Sequence, residues 1–448
     1  MDKTEKISKK ITLLQEMSKV YTKDDVLRHS MENDLWIIIR DKIYDISKFV
    51  QAHPGGIEPL LSVGGGNATY EFLNFHSEET IHKLRNYEIG VLDDYSESDL
   101  EKDYMILRES ILREGLFVTN KSFYILEWTR VIFILMLSLC FSLFIDGYNL
   151  IGAALLGIFW QQLAFSGHDA GHNAITHVRD KDSKLGLVVG NLLTGISMTW
   201  WKNSHNIHHI NPNCIECDPD IQHLPLLAVA DEILGPGFYS IFHKRWMKAD
   251  YVALKFISVQ HILFYPIMFL ARFNLYIQSL IIVLSNRDRI CYREAELITM
   301  GIFWTWFSLL VYTSCNGSLL MSIAYILISH GVAGILHVQI CLSHFSMLVY
   351  SNENCGLDWV RKQCLTTLNI DCSPWVDWFH GGLQFQLEHH LFPRLPRHNL
   401  RKISHRVKAL CDSHNVDYHS HTWINAQISL VNHLRNKAKS TIKYSKTQ

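Results

Sequence analysis

Charge is scarce and balanced in this chain. Asp, Glu, Lys and Arg make up 19% of its 448 residues, and the formal net charge is -1. Without a basic excess there is no electrostatic footprint for nucleic acid. The ten cysteines are scattered, form no disulfide framework and fit a reducing compartment. Cys214 and Cys217 make a lone CxxC, whereas a zinc site would want a second pair nearby. No GxGxxG fingerprint stands at a strand–helix junction, so neither a nicotinamide nor a flavin site is expected. The first residues are polar and lysine-rich with no apolar core, so no cleavable signal peptide is expected.

Apolar residues, by contrast, reach 48%. That balance suits a membrane protein with soluble parts. Residues 1 to about 95 read as soluble and mixed α/β, with Leu35–Ile39 and Lys42–Ile46 as strands, His53-Pro54-Gly55-Gly56 as a turn and Gly64-Gly65-Gly66 in a loop. An acidic stretch, Asp93 to Asp103, reads as a linker. Four later runs are long enough to span a bilayer: Phe123–Ile145, Leu150–Ser166, Leu297–Thr313 and Leu319–Leu336. Residues 252–284 carry Lys255, His261, Pro266 and Arg272, so they either lie at the interface or form a bent hairpin.

Histidine is concentrated in three clusters: His168-Asp-Ala-Gly-His172, His205-Asn-Ile-His208-His209 and Gln386-Leu-Glu-His389-His390. Side chains three and four apart share a helix face, so each cluster can aim its donors at one point. Imidazole suits iron, copper and zinc, and these donors exceed what one four-coordinate zinc needs. A two-metal site beside apolar segments points to oxygen chemistry on a lipid. If the clusters serve one site, the apolar elements between clusters two and three cross an even number of times. The Lys and Arg residues between His172 and Leu297 are those of a cytosolic loop. Asp169 and Asn206 are placed to hydrogen-bond a ligand's second ring nitrogen. Trp200 and Trp201 read as interfacial anchors, and the basic stretch Lys437 to Lys446 as a solvated end.

The run Ala52-His53-Pro54-Gly55-Gly56, followed by Phe75-His76-Ser77, resembles the cytochrome b5 family over roughly residues 18 to 93. The resemblance implies one haem b with His53 and His76 as axial ligands. Such a bis-imidazole iron has no open position and transfers electrons without binding oxygen. Gly64-Gly65-Gly66 is more glycine-rich than is usual in that family, which touches a loop and not the ligands.

The three clusters, in order and spacing, resemble those of membrane fatty-acyl and sphingolipid desaturases over almost all of residues 120 to 410. The family implies two iron ions on the cytosolic side, held here by His168, His172, His205, His208, His209, His389 and His390. The third box usually begins with histidine, and here Gln386 stands there. With the fused cytochrome, this marks the front-end branch. Gln386 reads as a weak ligand, a partner of a metal-bound water or a shaper of the substrate channel. His344, at the end of the last span, would restore the ligand count, with His337 two turns earlier as a second candidate. His177, His223, His330, His380, His398 and His405 read as structural. The runs Asp218-Pro219-Asp220-Ile221-Gln222-His223-Leu224-Pro225 and Leu391-Phe392-Pro393-Arg394-Leu395-Pro396-Arg397 resemble most the fungal sphingolipid 8-desaturases, with the plant enzymes next.

The implied organisation is multi-domain. A tail (1–17) precedes an α+β cytochrome b5-like domain (18–95), a linker (96–120), an all-α multi-pass membrane desaturase domain with four transmembrane helices plus interfacial helices (121–410), and a cytosolic C-terminal tail (411–448). The implied activity is a double bond at C8–C9 of the long-chain base of a ceramide, made with O2. Electrons would come from NADH through a separate cytochrome b5 reductase, in the endoplasmic reticulum membrane with head and boxes facing the cytosol. An unactivated methylene has no useful acidity, so a metal centre and not a general base must break its C–H bond. The alternatives are an acyl front-end desaturase of the 5- or 6-type, a lipid hydroxylase and, outside catalysis, a membrane haem electron carrier.

Overall fold

The computed structural model describes residues 19–285, 291–351 and 356–444. The expected N-terminal tail, 1–17, lies outside the described residues. The chain folds as two compact units, Met1–Asp99 and Leu100–Gln448.

In the first unit the expected strands form. β1 (Val20–Tyr21), β2 (Ser30–Met31), β3 (Asp34–Ile39), β4 (Lys42–Asp45) and β5 (Glu88–Leu92) make one sheet in the order β1-β5-β4-β3-β2. β3 and β4 are antiparallel, pairing Ile38 with Ile43 and Trp36 with Asp45, which puts Ile38 and Ile43 into the core. Helix α1 (Lys23–Leu27) starts at a reciprocal cap, in which Thr22 Oγ accepts from Asp25 N and the Asp25 carboxylate accepts from Thr22 N. Short helices α2 (Glu58–Leu61), α3 (Thr69–Phe75) and α4 (Glu78–Leu84) complete the unit.

The second unit is helical. α5 (Asp99–Arg113) leads to α6 (Lys121–Leu143) and α7 (Asn149–Gly171), followed by α8 (Arg179–Gly186), a π-helical turn over Leu187–Leu192, and α9 (Met198–Ile210). A small hairpin, β6 (Phe238–Ser240) and β7 (Arg245–Met247), precedes α10 (Tyr251–Ser258) and α11 (Gln260–Leu284). Then come α12 (Arg293–Ser314), α13 (Leu319–Ala333) and α14 (Ile335–Leu342), the last two joined at Gly334. α15 (Trp359–Thr366), β8 (Asn369–Asp371), α16 (Asp377–His380), α17 (Gln386–Leu391), α18 (Leu400–Ser413), β9 (Ser420–Thr422) and α19 (Trp423–Tyr444) complete it.

Among the described residues, five helical stretches are long and apolar enough to cross a membrane: α6, α7, α11, α12 and the α13–α14 pair. Hydrogen bonds tie the ends of these helices to one another and to the histidine clusters. The far ends of α7 and α12 meet where Asn149 Nδ2 donates to Ser314 O at 3.1 Å. The near end of α12 sits beside the second histidine cluster, where buried Glu296 accepts from the Ser197 and Thr199 hydroxyls and from Thr199 N. α11 starts on that same side. The Gln260 side chain both donates to and accepts from the Ala228 backbone, in the loop that follows the cluster. Ser197 N also donates to Ser279 Oγ, so both halves of α11, one continuous helix, are tied to the side of the second cluster, while α6, α7, α12 and α13–α14 are long and apolar enough to cross. Its buried stripe, Phe264, Met268, Arg272, Tyr276 and Val283, faces protein, and Ile262, Leu270, Ile277 and Ile281 face outward. Arg272 is no surface anchor: it is buried, donates to Thr194 O at 2.7 Å and lies over the Trp160 ring. Close packing of α7 on α13 needs Gly157, where a Cβ would come within 2.5 Å of Ser329 O.

Two stretches hold more structure than their composition suggested. The linker 96–120 contains α5, whose Tyr104 is fully buried and donates to Leu391 O at 2.8 Å. The tail 411–448 contains α19, whose Leu430 and Leu434 enter the core beside α10 and α11. Within the basic stretch read as a solvated end, Ala438 and Thr441 are buried and Lys437 pairs with Asp231 at 3.3 Å. Apolar residues every three or four positions put both helices against the body, a pattern that acidic or basic composition masks.

Candidate metal centres

In the first unit His53 follows a short 3-10 turn and His76 caps α3. Each Nδ1–H donates to a carbonyl, His53 to Gly56 O at 2.7 Å and His76 to Phe72 O at 3.1 Å, so Nε2 is the nitrogen that would ligate a haem iron. The ring centres are 6.1 Å apart. Metal–imidazole bonds of about 2 Å on either side of one iron place two ring centres about 6 Å apart. The residues therefore fit a bis-imidazole haem. Gly55 is needed because a Cβ there would lie 2.8 Å from the His53 ring.

In the second unit the three clusters converge. α7 carries His168 and is capped by His172, α9 carries His205, His208 and His209, and α17 carries His389 and His390. Their donor atoms sort into two groups, His168, His172, His205, His209 and His389 in one and His208, His344 and His390 in the other, each within 4.8 Å. In the larger group Nε2 of His205 stands 3.2 Å from that of His168 and 3.0 Å from that of His209, which is 3.0 Å from that of His389. Ligands bonded at about 2 Å and near right angles around one metal lie about 3 Å apart, so the spacing fits a shared cation. The two groups adjoin, with the His209 and His390 rings stacked at 4.1 Å.

In the smaller group every ring has its Nδ1–H engaged. His208 donates to Asp218 at 2.9 Å, His344 to Thr366 O at 3.1 Å and His390 to the Gln363 amide oxygen at 3.0 Å. Nε2 is then the nitrogen that would face a metal in all three, and that of His390 is buried without a hydrogen-bond partner. Burial, and then neighbouring imidazoles, hold His205, His209, His389 and His390 well below the ordinary histidine range, neutral and ready to ligate. Burial takes His344 down to about 3. His208 differs: burial opposes its charge, but Asp218 and Asp220 hold it up at about 9.

Gln386 lies at the edge of the smaller group, its amide nitrogen 3.0 Å from His344 Nε2 and its oxygen unpartnered. His337 belongs to neither group and lines a cavity. Asp169 Oδ1 lies 3.7 Å from His168 Nδ1, beyond normal hydrogen-bond reach. It accepts instead from Tyr124 and, with Glu127, from buried Arg397. Removing one partner from such a buried pair costs about 3–5 kcal/mol. Trp201 is no interfacial anchor: its ring packs on His205 at 4.4 Å. Cys214 and Cys217 are buried in an apolar cluster with Ile207 and Tyr350.

Sequence reasoning passed over the side chains that hold the boxes. Glu388, fully buried, accepts from Asn369 at 2.8 Å and Tyr418 at 2.7 Å, while Asn369 Oδ1 accepts from Leu387 N. The Asp-Pro-Asp run after box two was a usable signal for Asp218; Gln363, Asn369 and Tyr418 offer none.

A cavity of about 720 Å3 touches His168, His205, His208, His344 and His389 and is otherwise mostly apolar. Met268 and Leu275 of α11 line it, as do His223, Leu224 and Pro225. Gln222 is spent on structure, donating to Ile215 O and accepting from Ser240 Oγ.

Family models for a fatty acid desaturase match residues 148–422, and those for a cytochrome b5-like haem/steroid binding domain match 22–93. A Delta(8)-fatty-acid desaturase of Helianthus annuus is 40% identical over 94% of this chain and 92% of its own length. An acyl-lipid (9-3)-desaturase of Borago officinalis is 41% identical over 94% of each. A Delta 8-(E)-sphingolipid desaturase of Komagataella phaffii is 37% identical over 86% of this chain and 70% of its own length. The likeness to plant enzymes is thus at least as great as the expected likeness to fungal ones. With haem implied by the head and two irons by the histidine clusters, this chain belongs to the fatty acid desaturase family, in the form that carries a fused cytochrome b5-like domain.

Proposed function

We propose that this protein desaturates C8–C9 of the long-chain base of a ceramide. The observation that carries the reading is the apolar cavity shared by both histidine groups and by the His223-Leu224-Pro225 run. Relatives named for Delta 8 activity, some of them sphingolipid desaturases, support the position and substrate.

His53 and His76 would hold the haem. His168, His172, His205, His209 and His389 would hold one iron, and His208, His344 and His390 the other, with Gln386 beside the second. Bound iron supplies the O2-dependent removal of two hydrogens, with electrons delivered singly through the haem. The chain's own residues do the rest. Met268, Leu275 and Leu224 exclude water and hold the hydrocarbon chain, and Asp218, Gln363 and Thr366 fix the ligating rings. NADH–cytochrome b5 reductase is the electron source. The site faces the cytosol from the endoplasmic reticulum membrane.

Expression in a host lacking 8-unsaturated long-chain bases tests the reading. A product two mass units lighter than the saturated base, with the double bond at C8, is expected. An unsaturated fatty acid with unchanged bases would shift the assignment to the acyl reading, which the Borago relative favours. A gain of one oxygen would mean hydroxylation.

A further inference from the structure

The histidine boxes do not organise themselves. α15 carries no histidine, yet it supplies acceptors to two of the three imidazoles in the smaller group, Gln363 Oε1 to His390 and Thr366 O to His344. Gln363 is fully buried. Its Nε2 donates to the backbone oxygen of His209 at 3.0 Å. That carbonyl belongs to the last turn of α9, where helical carbonyls lack partners within the helix. One amide thus caps the helix of box two and holds an imidazole of box three.

The chemistry leaves no freedom in this arrangement. A carbonyl can only accept, so the amide nitrogen must face His209 O and the amide oxygen must face His390. An amide oxygen can only accept, so His390 must carry its proton on Nδ1. Its Nε2 then presents a lone pair at the point shared with His208 and His344. Resting on the two-iron reading, we propose that Gln363 is a positioning residue that fixes the tautomer and aim of His390 and so determines whether the smaller histidine group holds its iron.

The head's haem serves as an internal standard in the purified full-length protein. Wild type is expected to carry two non-haem irons per haem. Gln363→Leu removes the acceptor at similar volume and should lower this to about one, since lost partners of ligating histidines weaken metal binding about 10–100-fold. Gln363→Glu keeps an acceptor for His390 while losing the donor to His209 O. It should keep two irons and release them to a chelator no faster than wild type. Two irons retained in Gln363→Leu overturn the proposal, as does faster release from Gln363→Glu, an arm that stands even if the leucine variant does not fold. Fewer than two irons in wild type would instead fault the two-iron reading itself, and the proposal with it.

Discussion

Asp218 shows how one carboxylate fixes a histidine ring. It is fully buried, accepts from Asn213 N at 2.7 Å and from His208 Nδ1 at 2.9 Å, and so holds the ring from a fixed point. Asp218→Asn keeps the shape and removes the charge. Metal affinity at the smaller group should fall about 10–100-fold, read by chelator competition, with the haem spectrum unchanged. Gln386 tests the other side of that group. Because its amide is a neutral donor, weaker than imidazole for a divalent metal, Gln386→Ala should leave iron in place and lower turnover or regioselectivity. If the amide were a required ligand, iron content would fall with it. Gln386→His should also retain iron with reduced activity, because a ring must fit where a slimmer amide is buried. The box histidines were legible in the sequence because they recur three and four residues apart on helices. Gln363 and Asn369 were not, because each meets its box only through tertiary packing, 27 residues from His390 and 19 from Glu388.

At the scale of elements, the apolar runs and the two strands of the head were readable from length and alternation. α11 was not, because Pro266 and Arg272 interrupt its hydropathy and only the fold shows Arg272 spent on Thr194 O. A single site requires an even number of crossings between boxes two and three, and α12 with α13–α14 would supply it with α11 lying on one side. Glycosylation acceptors inserted into enlarged turns at 144–148 and 315–318 should therefore be modified. An acceptor inserted after Ser285 should stay unmodified. Modification there would mean that α11 crosses, and the sidedness of the boxes would need redrawing.

For the molecule as a whole, one chain holds both an electron carrier and its consumer. His53→Ala or His76→Ala should each abolish the low-spin bis-imidazole spectrum and stop turnover while non-haem iron remains. A separate cytochrome b5 should restore little activity, since it lacks the effective concentration, of millimolar order, that a short tether provides. A low-spin spectrum surviving in both variants would remove these residues from the haem. The lie of α11 has a kinetic consequence as well. Its cavity-lining residues Met268, Ala271 and Leu275 alternate along the helix with exposed Phe269, Ile277 and Ile281. With α11 lying along the bilayer, a lipid substrate is expected to enter past it by sideways diffusion within one leaflet, without passing through water. The concentration the enzyme senses is then two-dimensional. Diluting the substrate with inert phospholipid in vesicles should lower the rate in step with its mole fraction, and adding more vesicles of the same composition should not raise the rate per saturated enzyme.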